Sequence, residues 1–321
     1  MLMLISFVLA CGSEQGIYLM DGHDQFMQRG TDYVDILWVI DDSSSMASEQ
    51  TLVSEGFQNF IYALAPTDNT GVQMGVITTD MDADNPDRGA LLGEPAILTQ
   101  AENFVVNFIQ RVEVGVDGSD MERGLEAAWF ALTDPSVASR NSGFLRDDAN
   151  LAVIFVTDEN DCSDEGGLPA GAEGRTCYDA TDKLVPVNEY VDRFNSLKGE
   201  GLYTIAGGIL GPSVESGCQD SWPGHRYSTL IEQTGGVEGN ICETDYRGMM
   251  TELGNRITGP MTVFTLSETP IPESIEVVVG DIVVPEGWWL WDEEYNTIRF
   301  DGSYVPEWGS VIYVDYTIAH G

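Results

Sequence analysis

Three short stretches crowd oxygen-bearing side chains against apolar runs. Asp41-Asp42-Ser43-Ser44-Ser45 follows the run at 36–40, Gly118-Ser119-Asp120 precedes an amphipathic stretch at 121–132, and Thr157-Asp158-Glu159-Asn160-Asp161 ends the run at 151–157. Carboxylates and hydroxyls are hard oxygen ligands. Mg²⁺ takes octahedral oxygen coordination and keeps several waters, and Mn²⁺ and Ca²⁺ accept the same donor types. The same residue types also cap helices. The chemistry therefore turns on whether the three stretches meet in space.

The flanking pattern says what must position them. From Asp35 onward, buried-type apolar runs alternate with amphipathic stretches, as in a parallel sheet covered by helices. Strands are expected at 36–40, 72–78, 151–157 and 203–210, with an antiparallel edge strand at 90–98. Helices are expected at 48–64, 101–111, 121–132, 185–197, 227–234 and 246–257. Right-handed crossovers make this an α/β doubly wound, Rossmann-like sandwich, in which ligands bind at the carboxyl ends of the strands. After Gly259-Pro260 the period changes to two, with strands expected at 275–279, 288–291, 297–300 and 311–318 and no helix. The expected organisation is a signal at 1–11, a tether at 12–34 with room for a short strand at its apolar patch Ile17-Tyr18-Leu19-Met20, an α/β domain at 35–259 and a small all-β module at 260–321.

Asp41-x-Ser43-x-Ser45 resembles the DxSxS motif of the von Willebrand factor A domain family. Ser119, five residues before Gly124-Leu125, takes the place of that family's second-loop threonine. Asp158, ending Ile154-Phe155-Val156-Thr157-Asp158, takes the place of its third-loop aspartate. The resemblance spans residues 33–260. It implies a metal-ion-dependent adhesion site in which Asp41, Ser43, Ser45, Ser119 and Asp158 hold a divalent cation, Mg²⁺, Ca²⁺ or Mn²⁺. One coordination position stays open for a carboxylate of a protein partner. The sequence departs from the family in Ser119, which keeps the hydroxyl, and in Asp42 and Ser44, where small residues are usual. The function implied is cell adhesion or protein–protein binding.

Other acids and aromatics have two readings each. Asp80, Asp82 and Asp84 alternate as in a calcium loop, but EF-hand spacing fails because the glycine comes late and Leu91 stands where the last acid belongs. A solvated acidic rim is the alternative, also for Glu159, Asp161 and Asp164. Trp288-Trp289-Leu290-Trp291 is either core and interface anchoring or a platform for a sugar ring. The apolar strand at 311–318 either closes its own module or adds to the sheet edge of a neighbour, as a fibre or surface-assembly subunit or a homo-oligomer would. Catalysis is not expected. His23, His225 and His320 lie in no orienting motif, and phosphate-binding glycine loops are absent.

The formal net charge of −39 argues against nucleic acid or an anionic membrane surface as direct partners. The run of residues 1–10 is too short to span a bilayer and reads as a secretion signal. Val8-Leu9-Ala10-Cys11 resembles a bacterial lipobox, with Cys11 as the lipidated residue and no Lys or Arg before it. Membrane contact is expected through that anchor alone, and the location is the bacterial cell surface or outside the cell. The four other cysteines imply two disulfides in an oxidising compartment. Of three possible pairings, sequence proximity favours Cys162–Cys177 and Cys218–Cys242. Zinc is disfavoured because no CxxC occurs.

Overall fold

The computed structural model describes residues 18–28, 33–64, 71–99, 103–169, 172, 174, 176–199, 202–212, 221–301, 304–307 and 309–320. In chain order the elements are β1 (Tyr18–Met27), β2 (Tyr33–Ile40), α1 (Ala47–Leu64), β3 (Gly71–Thr78), β4 (Leu98–Thr99), α2 (Phe104–Val112), α3 (Gly124–Thr133), α4 (Ala138–Asn141), β5 (Asn150–Thr157), α5 (Thr176–Asp179), α6 (Val187–Ser196), β6 (Thr204–Leu210), α7 (His225–Gln233), β7 (Val237–Asn240) and α8 (Arg247–Thr258). Six further strands follow: β8 (Val263–Thr265), β9 (Glu276–Val279), β10 (Ile282–Val283), β11 (Trp289–Asp292), β12 (Thr297–Phe300) and β13 (Val311–His320).

The expected doubly wound sheet is present. Its strand order is β4-β3-β2-β5-β6-β7, parallel except for the antiparallel edge strand β4. Both faces are covered, which is why β2 and β5 read as unbroken apolar runs. Alternation along β2 splits the core in two. Ile36, Trp38 and Ile40 pack with Phe57, Phe60, Phe108, Met250 and Leu253 of α1, α2 and α8. Leu37 and Val39 pack with Leu125, Tyr190, Phe194, Tyr227 and Leu230 of α3, α6 and α7. Each such fully buried side chain contributes about 1.5–3 kcal/mol relative to exposure.

Several expectations are corrected. The edge strand expected at 90–98 shrinks to β4. Gly93 takes a positive φ, and the Arg111 guanidinium binds the Leu92 and Pro95 carbonyls, holding the segment as a loop. The helix expected from 121 starts at Gly124. Three strands escape the sequence pattern, β7, β8 and β10, and β1 is longer than the short strand allowed for within 12–34.

The tether expected at 12–34 contains β1, which pairs antiparallel with β13 over its whole length, Tyr18 opposite His320 and Met27 opposite Val311. The β module is therefore discontinuous in sequence. One sheet runs β1-β13-β9-β10 and the other β11-β12-β8. Val277, Ile312, Val314 and Tyr316 of the first meet Phe264, Trp289, Ile298 and Phe300 of the second in an apolar core. At Gly22 the chain passes under the Tyr316 ring, and any Cβ there would enter it. The strand β13 sits inside its sheet, between β1 and β9, so it closes its own module and is not free to extend a neighbour's sheet.

Candidate metal centre

Parallel pairing of β2 with β5 ends at Ile40 opposite Val156, which sets Asp41 beside Thr157 and Asp158. The Asp41 N–H continues the ladder to the Val156 carbonyl at 2.9 Å. Its carboxylate accepts the Thr157 hydroxyl at 2.6 Å and the Ser43 N–H at 2.7 Å. These bonds aim Asp41 across the strand ends rather than at α1. The Ser43 and Ser45 hydroxyls lie 3.2 Å apart, and Ser45 sits beside the Asp158 carboxyl.

The second loop is tied to the first through its backbone. The Gly118 N–H donates to the Asp42 carbonyl at 2.8 Å, and the Gln50 side-chain amide bridges the Asp41 and Gly115 carbonyls at 3.0 and 2.8 Å. Residue 118 must be glycine here, because a Cβ would strike the Asp42 carboxylate. Ser119 follows directly, half-buried, its hydroxyl accepting the Met121 N–H at 3.2 Å. The three stretches thus converge at the carboxyl end of the sheet, while Ser45 remains exposed at its mouth.

The electrostatics of this corner are adverse to its own charges. Burial, then the Asp41 charge, pushes the Asp158 carboxyl up to about 7. Burial, then Asp80 and Asp41, pushes Asp42 up to about 7. Asp41 itself is raised by burial. Glu122, which sequence reasoning passed over, is wholly buried and raised well above the carboxylate range by burial and by Asp41. Asp158 Oδ1, Asp42 Oδ1, Thr79 Oγ1 and both Glu122 oxygens are buried without a hydrogen-bond partner. Orphaned acidic oxygens beside serine hydroxyls are a donor set suited to a hard cation. No group of three or more His, Cys, Asp or Glu side chains is already gathered for a metal among the described residues. A cation here depends on the hydroxyls as well as on Asp41 and Asp158.

The other expected sites fare differently. Asp80, Asp82 and Asp84 are close enough for their charges to interact, but they form no three-acid group placed to hold a metal among the described residues. Asp80 accepts the Asp82 N–H, Asp82 pairs with Arg123 at 3.2 Å, and Asp84 is exposed. Asp161 and Asp164, expected as solvated rim acids, are buried. Asp161 accepts the Leu125 N–H at the start of α3 and pairs with Arg226 at 2.9 Å, and Asp164 pairs with Arg123 at 3.1 Å. They anchor the loop after β5 to the helix that follows the second loop.

Cys162 and Cys177 form a disulfide within the small core of Met121, Leu168 and Leu184. Cys242 is also disulfide-bonded, while Cys218 and Cys11 lie outside the described residues. Trp289 is buried and donates to the Val284 carbonyl, and Trp291 donates to Asn296, whereas Trp288 and Leu290 face solvent. No helix of the described residues is long and apolar enough to cross a membrane.

No protein-family model matches the chain, and no curated protein matches it in sequence. Solved structures with a similar fold include a von Willebrand factor type A protein from Catenulispora acidiphila, at 12% identity and a TM-score of 0.44, covering 95% of this chain and 66% of that one. The pilus adhesin SpaC from Lactobacillus rhamnosus GG, in its open conformation, gives 13% identity and a TM-score of 0.40, covering 93% of this chain and 40% of that one. The human COPII-coat protein Sec24c gives 11% identity and a TM-score of 0.46, covering 92% of this chain and 42% of that one. The chain thus spans less than two thirds of each of these structures. Its assignment as a doubly wound α/β sheet with added antiparallel sheets rests on its own strand order.

Proposed function

We propose that this chain is an exported surface protein that binds a protein partner through a divalent cation held by Asp41, Ser43, Ser45, Ser119 and Asp158. One observation carries the reading. Asp158 presents a buried, unpartnered oxygen beside Ser45 and Asp41, at the point where the three oxygen-rich loops meet. The bound cation would supply a Lewis-acidic position open to a partner carboxylate. Thr157 and the Ser43 N–H hold Asp41 in place, and Gln50 fixes the two loops that flank it. A von Willebrand factor A-type adhesion site has this composition. On a chain of net charge −39, a cation is what makes contact with an acidic partner favourable. The disulfide Cys162–Cys177 supports an oxidising, extracytoplasmic location. Lipidation at Cys11 belongs to the same reading.

The alternative, a subunit of a fibre or surface assembly, has to use strand edges other than β13. Among the described residues, the outer strands of its sheet are β1 and β10.

Calorimetric titration of the pure chain with Mg²⁺, Mn²⁺ and Ca²⁺, followed by capture from a surface extract with and without chelator, tests the proposal. The expected result is cation binding by the wild type, none by Asp158→Asn, and chelator-sensitive capture. Absence of binding by any of the three cations ends it.

A further inference from the structure

The tryptophan-rich run forms β11, an outer strand of the sheet β11-β12-β8. Its inner side is settled by the ladder. The Phe300 N–H donates to the Thr262 carbonyl on the β8 side, so Phe300 and Ile298 turn their backbone groups toward β8. Leu290 and Asp292 therefore pair with β12, while Trp289 and Trp291, opposite Phe300 and Ile298, turn their N–H and C=O groups outward. No further backbone hydrogen bond meets Trp291 among the described residues. Trp289, Leu290 and Trp291 line a cavity of about 420 Å³ together with Glu273, Ile275 and Glu286. Side chains of a strand alternate between its faces, so three consecutive residues line one cavity only along the strand's edge. Buried Trp289 and Ile275 belong to the core between the two sheets, whereas Leu290 and both glutamates are exposed. The cavity is thus an apolar slot beside an unpaired strand edge, with carboxylates at its rim.

Charge selects what can enter it. Between Arg256 and Arg299 the sequence holds eight acids and no Lys, Arg or His. The two flanking arginines are engaged elsewhere, Arg256 on the Gly235 and Pro260 carbonyls and Arg299 on Glu232. A second copy of this chain is the wrong occupant, because its net charge is −39 and like charges at a strand edge discourage self-pairing. We propose that the edge of β11 is a docking site for an extended basic segment of another protein. That segment adds as a strand beside β11, its main chain bonded at Trp291, its Lys or Arg side chains over Glu273 and Glu286, and an apolar side chain between them in the slot. This site is separate from the cation site and does not depend on it.

The test uses the full chain and a labelled peptide of alternating Lys and Val, followed by fluorescence polarisation in about 0.15 M salt, where distant surface charges are screened. Chelator is present throughout, which keeps the cation site out of the measurement. The peptide is expected to bind and to slow hydrogen exchange at the Trp291 amide. Glu273→Gln with Glu286→Gln is expected to weaken binding by about threefold or more. Glu55→Gln with Glu252→Gln, on exposed positions of α1 and α8, removes the same charge elsewhere and is expected to leave it unchanged. A peptide of alternating Glu and Val, or the Lys-Val peptide with its amides N-methylated, is expected not to bind. Absence of binding by the Lys-Val peptide, equal loss in the two double variants, or undiminished binding of the N-methylated peptide overturns the proposal. So does protection of the Trp291 amide that grows with protein concentration in the absence of peptide, which would make a second copy the occupant.

Discussion

The Thr157 hydroxyl donates to the Asp41 carboxylate at 2.6 Å, joining the ends of the two central strands through side chains where their backbone ladder stops. Thr157 is wholly buried, and its oxygen also accepts the Glu159 N–H at 3.0 Å, so one hydroxyl orients both the first and the third loop. Replacing Thr157 by valine keeps the shape and removes that link. The expected outcome is a loss of about 1–3 kcal/mol in stability from the unsatisfied buried acceptor, with weaker cation binding. Urea denaturation and calorimetry on the same preparation check the two effects together.

At the opposite end of β2, Asp35 is buried between Arg146, at 2.7 Å, and Lys198, at 3.4 Å. Removing one member of a buried ionic group strands the others. Asp35→Ala is expected to cost about 3–5 kcal/mol in denaturant titration. The cation affinity of the folded fraction should stay unchanged, because this cluster lies at the other end of the sheet from the three loops.

Gly22→Val tests whether β1 is a strand of the β module or a tether. A side chain at this position displaces the Tyr316 ring and breaks its 2.6 Å hydrogen bond to Asp24. The expected loss is about 1–3 kcal/mol, typical of overpacking. It should appear as reduced hydrogen-exchange protection in β13 and β9, with β2 and β5 unaffected. Unchanged protection in β13 would restore the tether.

Tyr203 is one contributor to the alkaline limit of the α/β domain, beside Tyr178, Tyr190, Tyr227 and Tyr246, whose phenols burial also raises. Its hydroxyl lies within hydrogen-bonding distance of the Ile257 and Gly259 carbonyls, and burial pushes its phenol up to about 12. The unfolded chain gives up this proton near pH ~10, while the native state holds it to about 12. Unfolding thus releases a proton in that interval, and stability falls as pH rises through it. Thermal melts of Tyr203→Phe should show a shallower decline across that window than the wild type, and the same slope below it.

The parts of the molecule that could be read from sequence are those where burial on both sides leaves no choice of residue. Along β2 and β5, continuous apolar runs ending in Asp41 and Asp158 gave both the strands and the corner where they stop. Ser119 could be found through its spacing to Gly124. Glu122 could not, since a single glutamate in a polar loop looks like any solvated acid until the fold closes over it. Asp161 and Asp164 misled for the same reason, because their partners Arg226 and Arg123 are distant in sequence. The full length of β1 was hidden because one side of an edge strand faces water, so its apolar alternation is diluted by Asp21, His23 and Asp24. Short strands such as β8 and β10 carry too few residues to express any period.

Under the proposed reading, the order of the elements also sets a line of mechanical force. A pull on a ligand gripped at Asp41 enters the fold at the end of β2, travels down that strand, and leaves through β1 toward whatever precedes Tyr18. Inside the domain, β2 carries that tension along its own backbone, clamped on both flanks by parallel neighbours whose hydrogen bonds lie across the direction of the tug. Beyond it, the load follows the covalent backbone of β1, and β9, β10 and β13 stand beside the tow-line without having to bear it.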